Sequence, residues 1–208
     1  MTEPAWLTWA REIAAIAQTG LHYTSDPFDI ARYEALRALA ARMVAGGTGL
    51  DATEINAALA GELGHATPKV GVRAAVFDHA GRILMVRETQ DGNWSLPGGW
   101  AEPGQTVAES AVREVWEETG YTVRPVKLAA VWDRARQQHP PALHSITRCF
   151  FICSLVGGTA ITSDETTEIA WFAEPEIPAD LSRVRILPHQ IARMFAHWRA
   201  PELPTDFD

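Results

Sequence analysis

Up to about residue 63 the apolar positions recur every three to four residues, the spacing of one helix face. Trp6, Ala10, Ile13 and Ala17 predict a first helix from Pro4 to about Gln18, with Gly20 just past its end. Asp26 ahead of Pro27 predicts the start of a second, because a short carboxylate caps free N–H groups and proline suits a first turn. Its stripe is Ile30, Tyr33, Leu36, Leu39 and Met43, and Gly46 and Gly47 read as its stop. Asp51 with Glu54 opens a third helix carrying Ile55, Leu59 and Leu63. Gly64–Val70 breaks this pattern, and strands follow. "VGVRAAVFD" and "RILMVRE" flank the turn Asp78–Gly81 as a hairpin, and "GNWSLPGG" is short, apolar and closed by glycines. A helix near residues 107–119 comes next, then strands in "YTVRPVKLAAVWDR", "SITRCFFICSLVG" and "EIAWFAE". Pro188 to Trp198 predicts a last helix with Ile191, Met194, Phe195 and Trp198 on one face. Helices first and a mixed β/α region after them predict an α+β chain. Residues 1–66 form a small all-helical domain and 67–208 the main one.

Composition narrows the function classes. The 208 residues carry a net charge of −8 without a Lys/Arg run, which disfavours a nucleic-acid surface. An acidic chain that handles phosphates needs a metal or a few placed arginines. Cys149 and Cys153 lie four apart on one strand, on the same face and too far apart to bond; they read as small buried hydrophobes in a reducing compartment. No signal peptide and no apolar run of membrane-spanning length are visible, so a cytoplasmic protein is expected.

The helix between Thr106 and Gly120 carries the chemistry. Thr106 and Glu109 form a capping box, and Gly120 stands where a left-handed C-cap is needed. Ala108, Ala111, Val112, Val115, Trp116 and Thr119 fill a core face. Glu114, Glu117 and Glu118 occupy a wedge of roughly 100° away from it. Like charges at this spacing cost about 0.2–0.5 kcal/mol per pair, and they also face the negative end of the helix dipole. Arg113 relieves one. A solvated acidic face is the plain alternative. A hard divalent cation such as Mg²⁺ is the remedy that also binds phosphate oxygens, and a neighbouring diglycine lets backbone approach the ligand.

Gly99, Arg113, Glu114, Val115, Glu117, Glu118, Gly120 and Tyr121 match the Nudix box, G-x5-E-x7-R-E-U-x-E-E-x-G-U, with one departure: Gln105 replaces the first glutamate. The chain thus resembles the Nudix family over about residues 68–200. The resemblance implies an α/β/α sandwich around a mixed sheet and hydrolysis of a nucleoside diphosphate linked to another group. It implies Mg²⁺, with Mn²⁺ as a substitute, held by Glu114 and Glu118, with Glu117 as a further ligand or bridge and the Gly99 carbonyl adding one more. The metal polarises a phosphoryl oxygen and helps activate water. Arg113 orients the glutamates and in the family pairs with the glutamate that Gln105 replaces; the Gln105 amide oxygen can still accept from the guanidinium, as a weaker contact. The general base is Glu114 or a loop acid, Glu165 or Glu168, each of which also reads as a solvated loop residue. Residues 1–63 with "ATPKVGVRAAVF" resemble the subgroup with an N-terminal helical domain, which implies substrates such as ADP-ribose or CDP-choline. That domain dimerises the chain or walls the pocket.

Further candidates come from chemistry alone. Arg73 and Arg87 on the opening strands can grip phosphate, or form structural ion pairs. Arg134 and His139 lie in a Pro-rich loop that can cover a substrate, or be solvated there. Trp94 and Trp100 flank the glycines, as core residues or as stacking platforms. The expected partner is a small nucleotide, in a homodimer, without nucleic acid or membrane. Two rivals are a Nudix-fold nucleotide-binding or regulatory module without turnover and an isomerase acting on isoprenyl diphosphate.

Overall fold

The computed structural model describes residues 3–208. They fall into two compact units, residues 3–68 with 140–145 and residues 69–139 with 146–208.

The first unit holds α1 (Ala5–Tyr23), α2 (Pro27–Thr48) and α3 (Ala52–Ala60). Asp26 and Asp51 cap α2 and α3 by accepting two backbone N–H bonds each, as their positions predict. The core is Leu7, Ala10, Ala41, Val44 and Ile55, and these small side chains let the helices approach closely. Close approach also corrects two expected stops. Gly20 lies inside α1 and Gly47 inside α2, where an added Cβ would run into the Tyr33 ring and the Trp6 ring respectively. These glycines make room for aromatic rings, and α2 instead ends at Gly49, whose φ is 76°. The apolar stripes shift accordingly: Leu39 and Leu63 are exposed, and α2 buries Ala40, Ala41 and Val44.

The second unit is built on a mixed seven-stranded sheet: β1 (Lys69–Phe77), β2 (Ile83–Glu88), β3 (Trp94–Ser95), β4 (Tyr121–Asp133), β5 (Ile146–Gly158), β6 (Thr166–Phe172) and β7 (Asp206–Phe207). The order is β3-β2-β1-β5-β4-β7, with β6 also paired to β2. The pairs β1–β5 and β4–β7 are parallel, and the others antiparallel. Alternation along β1 sends Val72, Ala74 and Val76 to one face, where Ala111 and Val115 of α4 (Val107–Thr119) cover them. Ala75 and Phe77 go to the other face, under Ile191, Met194 and Phe195 of α5 (Pro188–Arg199). This is the expected sandwich. Cys149 and Cys153 are both buried, unbonded and in the α4-side core.

The segment after β3 runs along β1. Ala74 N–H donates to Pro97 O at 2.9 Å, Val72 N–H to Gly99 O at 2.9 Å, and Ala101 N–H to Val70 O at 3.0 Å. Gly98 has a φ of 143°, and a Cβ there would strike the Val72 carbonyl, so the loop needs glycine at this position.

Candidate active site

Local signals set the ends of α4, and the ends set where its glutamates stand. Thr106 Oγ1 accepts from Glu109 N–H at 3.2 Å, and the Glu109 carboxylate accepts from Thr106 N–H at 2.8 Å. Gly120, at φ 70°, closes the helix with its N–H on Trp116 O at 2.8 Å. Trp116, expected on the core face, is exposed instead, at the edge of the stripe. The glutamate wedge is divided. Glu117 is exposed, whereas Glu114 and Glu118 are buried, at 8% and 4% exposure, against the diglycine loop.

That loop is fitted to them. Gly98 N–H donates to Glu118 Oε2 at 3.0 Å. A Cβ on Gly99 would lie 2.6–2.8 Å from the Glu114 carboxylate, so only glycine leaves Glu114 its place. Gly99 O takes the Val72 N–H and keeps its second lone pair. Thr166 Oγ1 donates to Glu118 O at 2.8 Å, tying the start of β6 to the helix end.

Burial makes negative charge costly here. It pushes the Glu118 carboxyl up to about 8, against the opposing pull of Arg73 and the Gly98 N–H. Burial also raises Glu114, with Arg113 opposing. A dication beside these oxygens would restore the carboxylates. Among the described residues no three acidic, His or Cys side chains already surround one point, because Glu117 turns to Arg113. The donor set nevertheless fits Mg²⁺, which takes one or two carboxylates, a carbonyl oxygen, waters and substrate phosphate rather than a closed protein cage.

Arg113 ties the helix to both neighbours. It reaches Glu117 Oε2 at 2.5 Å, Glu114 Oε1 at 2.8 Å, Trp100 O at 3.1 Å and, through Nε, Gln105 Oε1 at 3.2 Å. Ser110 Oγ also donates to Gln105 Oε1, at 3.2 Å. The contact expected of a glutamate at position 105 thus survives on an amide oxygen. Gln105 is exposed, so restoring the charge gains only about 0–1 kcal/mol. Gln105→Glu should therefore raise activity, or tighten the Mg²⁺ dependence of the rate, by no more than roughly fivefold. A metal titration of both proteins checks this; a wild type inactive until Gln105→Glu is introduced would reverse it.

Beside the loop lies a cavity of about 440 Å³. Of the residues singled out from sequence, Arg73, Gly99, Glu118 and Glu165 line it. Arg73 is buried with its Nε unpartnered, and its charge is disfavoured by burial and favoured by Glu118 and Glu88. Trp100, half-exposed, stands at the rim, while Trp94 is buried in the core. Arg113, Glu114 and Glu117 of α4 do not line the cavity, and neither do Arg87, Glu168, Arg134 and His139. Arg87 pairs with Glu168 at 2.7 Å and Asp180 at 3.2 Å, so the expected phosphate grip and the expected loop acid neutralise each other. Arg134 and His139 are buried rather than displayed on a loop. His139 Nδ1–H donates to Arg183 O at 2.8 Å, and burial pushes the imidazole down to about 4, so it stays neutral.

Three charged lining residues are not marked by the sequence patterns above: Glu88, Arg148 and Arg185. Glu88, buried at the end of β2, lies 3.1 Å from Arg185 Nε, but its Oε1 lacks hydrogen-bond geometry with any partner. Arg185 also reaches Gln90 at 2.7 Å and Asp91 at 3.6 Å. The available signal was a charge inside or closing an otherwise apolar strand, Glu88 after "ILMV" and Arg148 before "CFFIC".

Residues 67–190 match the family described as the NUDIX domain, and residues 4–59 match one described as UDP-X-like, N-terminal oligomerisation domain. Over 203 residues the chain is 42% identical to YjhB of Bacillus subtilis (strain 168), named as a candidate ADP-ribose pyrophosphatase; the match covers 98% of this chain and 97% of that protein. A crystal structure of a UDP-X diphosphatase superposes with a TM-score of 0.63 at 32% identity, over 100% of both chains. An ADP-ribose pyrophosphatase from Streptococcus suis 89-1591 superposes with a TM-score of 0.62 at 34% identity, over 68% of this chain and 100% of that one.

Proposed function

The chain belongs to the Nudix hydrolase family, and from that premise we propose that it hydrolyses the pyrophosphate of a nucleoside diphosphate joined to another moiety, with Mg²⁺ or Mn²⁺, giving a nucleoside monophosphate and a phosphorylated product. The observation that carries this reading is the pair of buried carboxylates, Glu114 and Glu118, pressed on Gly98–Gly99 beside the 440 Å³ cavity. Glu114 and Glu118 hold the metal, the second lone pair of Gly99 O is available to it, and Glu117 is a further ligand once it leaves Arg113. When bound, the ion withdraws charge from a phosphoryl oxygen and lowers the pKa of water. Arg113 keeps Glu114 in place, and Arg73 meets phosphate charge from the cavity wall. Glu165, on the cavity, is better placed to take the proton of the attacking water than Glu168, which is held by Arg87; Glu114 is the alternative. The names of the relatives support ADP-ribose and UDP-linked compounds as first substrates, with CDP-choline beside them. A product-resolved screen of these compounds, dinucleotides and NTPs with Mg²⁺ and Mn²⁺ is the test. Nucleotide binding without turnover across the whole screen would make the chain a binding module instead.

The same reading includes a homodimer through the N-terminal helices, as supported by the oligomerisation-domain match. Trp9, Ile16 and Tyr23 recur at intervals of seven residues on α1 and are 57%, 58% and 71% exposed, a continuous apolar stripe. Sedimentation should give about twice the 22.8 kDa chain mass, and Ile16→Glu should give a folded monomer. A wild type that is monomeric at micromolar concentration would count against the dimer. The setting proposed is cytoplasmic. Two buried, unbonded thiols support it, and among the described residues no helix is long and apolar enough to cross a membrane.

A further inference from the structure

The wall of the cavity holds two buried cations that no carboxylate meets at ion-pair distance among the described residues. Arg73 on β1 is 5% exposed and Arg148 on β5 is 8% exposed, and both line the cavity. Neither forms an ion pair with a carboxylate among the described residues. The hydrogen bond of Arg73 goes to its neighbour's carbonyl, Val72 O, at 3.3 Å, and its Nε is buried and unpartnered. Arg148 bonds to Arg185 O at 2.5 Å and Val184 O at 2.8 Å, and its Nη1 lies 3.4 Å from His139 Nε2. A guanidinium has five N–H bonds, so these contacts leave Arg148 with donors to spare. By contrast Arg185, the third arginine of the cavity, is engaged by Glu88, Asp91 and Gln90. Glu118 and Glu88 attract Arg73 without pairing with it, and Arg73, Arg134 and Arg185 repel Arg148. A buried charge that no counter-charge pairs is expensive, so these two on one cavity call for an anion.

The sheet register sets their spacing. Gly71 is the Cα partner of Arg148, and Arg73 lies two residues further along β1 on the same face. Gly71 brings no side chain between them, and the Cβ it lacks would sit 3.2 Å from Gly99 O. Two guanidiniums one diagonal apart suit an anion with two phosphoryl groups better than a single phosphate.

We propose that Arg73 and Arg148 form a two-arginine diphosphate subsite, and that His139 behind Arg148 is a positioning residue that holds its guanidinium toward the cavity. The subsite rests on the hydrolase reading for its natural ligand, but its anion chemistry stands without turnover. His139 is fitted to this role. Its Nδ1–H is spent on Arg183 O, so Nε2 is left as a lone-pair acceptor facing Arg148. A protonated imidazole would repel Arg148 and Arg134, and burial keeps it unprotonated. The loop histidine therefore serves phosphate binding at one remove.

Calorimetric titration of the full chain with pyrophosphate in EDTA tests this without metal or catalysis. Wild type should bind one pyrophosphate per chain, and inorganic phosphate, which spans one arginine, at least about tenfold more weakly. Arg73→Met and Arg148→Met should each weaken pyrophosphate at least about tenfold. Arg148→Lys keeps the charge without the two-pronged geometry and should also weaken it, which covers the case of an Arg148→Met chain that does not fold. His139→Leu should weaken pyrophosphate less than Arg148→Met does, and His139→Gln, which keeps an acceptor, should restore binding. In turnover the arginine variants should raise KM for the best substrate more than they lower kcat. Metal-free wild type that fails to bind pyrophosphate, or folded arginine variants that bind it as wild type does, would overturn the subsite. A chain that binds pyrophosphate through both arginines but hydrolyses nothing in the screen would keep the subsite and sink the hydrolase reading.

Discussion

Glu118→Gln should lower turnover by orders of magnitude while leaving the fold intact. A bound dication contributes several kcal/mol of charge stabilisation at the reacting phosphoryl group. Each factor of ten in rate corresponds to about 1.4 kcal/mol, so a drop of at least about 100-fold is expected. The fold should not suffer, for a reason visible in the site. The Glu118 side chain is buried, and burial raises its carboxyl to about 8, so its charge opposes folding in the metal-free chain. An amide of the same shape removes that cost, and its oxygen can still accept the Gly98 N–H that Glu118 Oε2 accepts at 3.0 Å. The metal-free melting temperature of Glu118→Gln at pH 8 should equal or exceed that of wild type. The upward shift that Mg²⁺ gives wild type should shrink or vanish. This pairing matters, because a variant inactive through misfolding would melt earlier, and one that had lost only metal binding would not. Wild-type turnover in Glu118→Gln would remove Glu118 from the metal site.

The sequence was most legible where structure is set locally. The ends of α4 were readable because a capping box and a C-cap glycine act within a few residues, and both form as expected. The same locality let Gln105 be paired with Arg113 in advance, since position 105 closes onto the start of the same helix. Legibility failed where partners are distant in sequence. Gly20 and Gly47 look like helix stops until Tyr33 and Trp6 fill the space a side chain would need. Arg87 and Glu168 looked like two functional residues; the pairing of β2 with β6 sets them side by side, 81 positions apart, as an ion pair. Arg148 was hidden in an apolar strand, and only the parallel register of β1 and β5 places it beside Gly71 and the cavity. His139, expected on a displayed loop, is buried against Arg183 O and the Arg148 guanidinium, 44 and 9 positions away in sequence.

Gly99→Ala should separate the chemistry from the fold more cleanly than any change at the neighbouring glycine. Gly98 is held at a φ of 143°, and its missing Cβ would strike the Val72 carbonyl, so a side chain there strains the backbone and loosens the loop from β1. Lost activity in Gly98→Ala would be uninformative, because stability falls with it. Gly99 differs in both respects. Its φ is not in the left-handed region, so alanine brings no backbone strain. The atoms its Cβ would meet are the carboxylate end of Glu114, at 2.6–2.8 Å, the far end of a flexible side chain that can swing aside. The stability change should therefore stay within about 1 kcal/mol. The functional change should be large, because the carboxylate that moves is one of the two proposed to hold the metal, and Arg113 Nη2 would lose or follow it from 2.8 Å. Loss of one such ligand should lower turnover by at least about tenfold, with a higher Mg²⁺ concentration needed for half-maximal rate. Rate against Mg²⁺ concentration, measured beside a thermal melt, checks both halves. If Gly99→Ala melts with wild type and also turns over with wild-type metal dependence, then the position of the Glu114 carboxylate does not matter to the reaction. Metal binding by α4 would then have to rest on Glu118 and Glu117 alone.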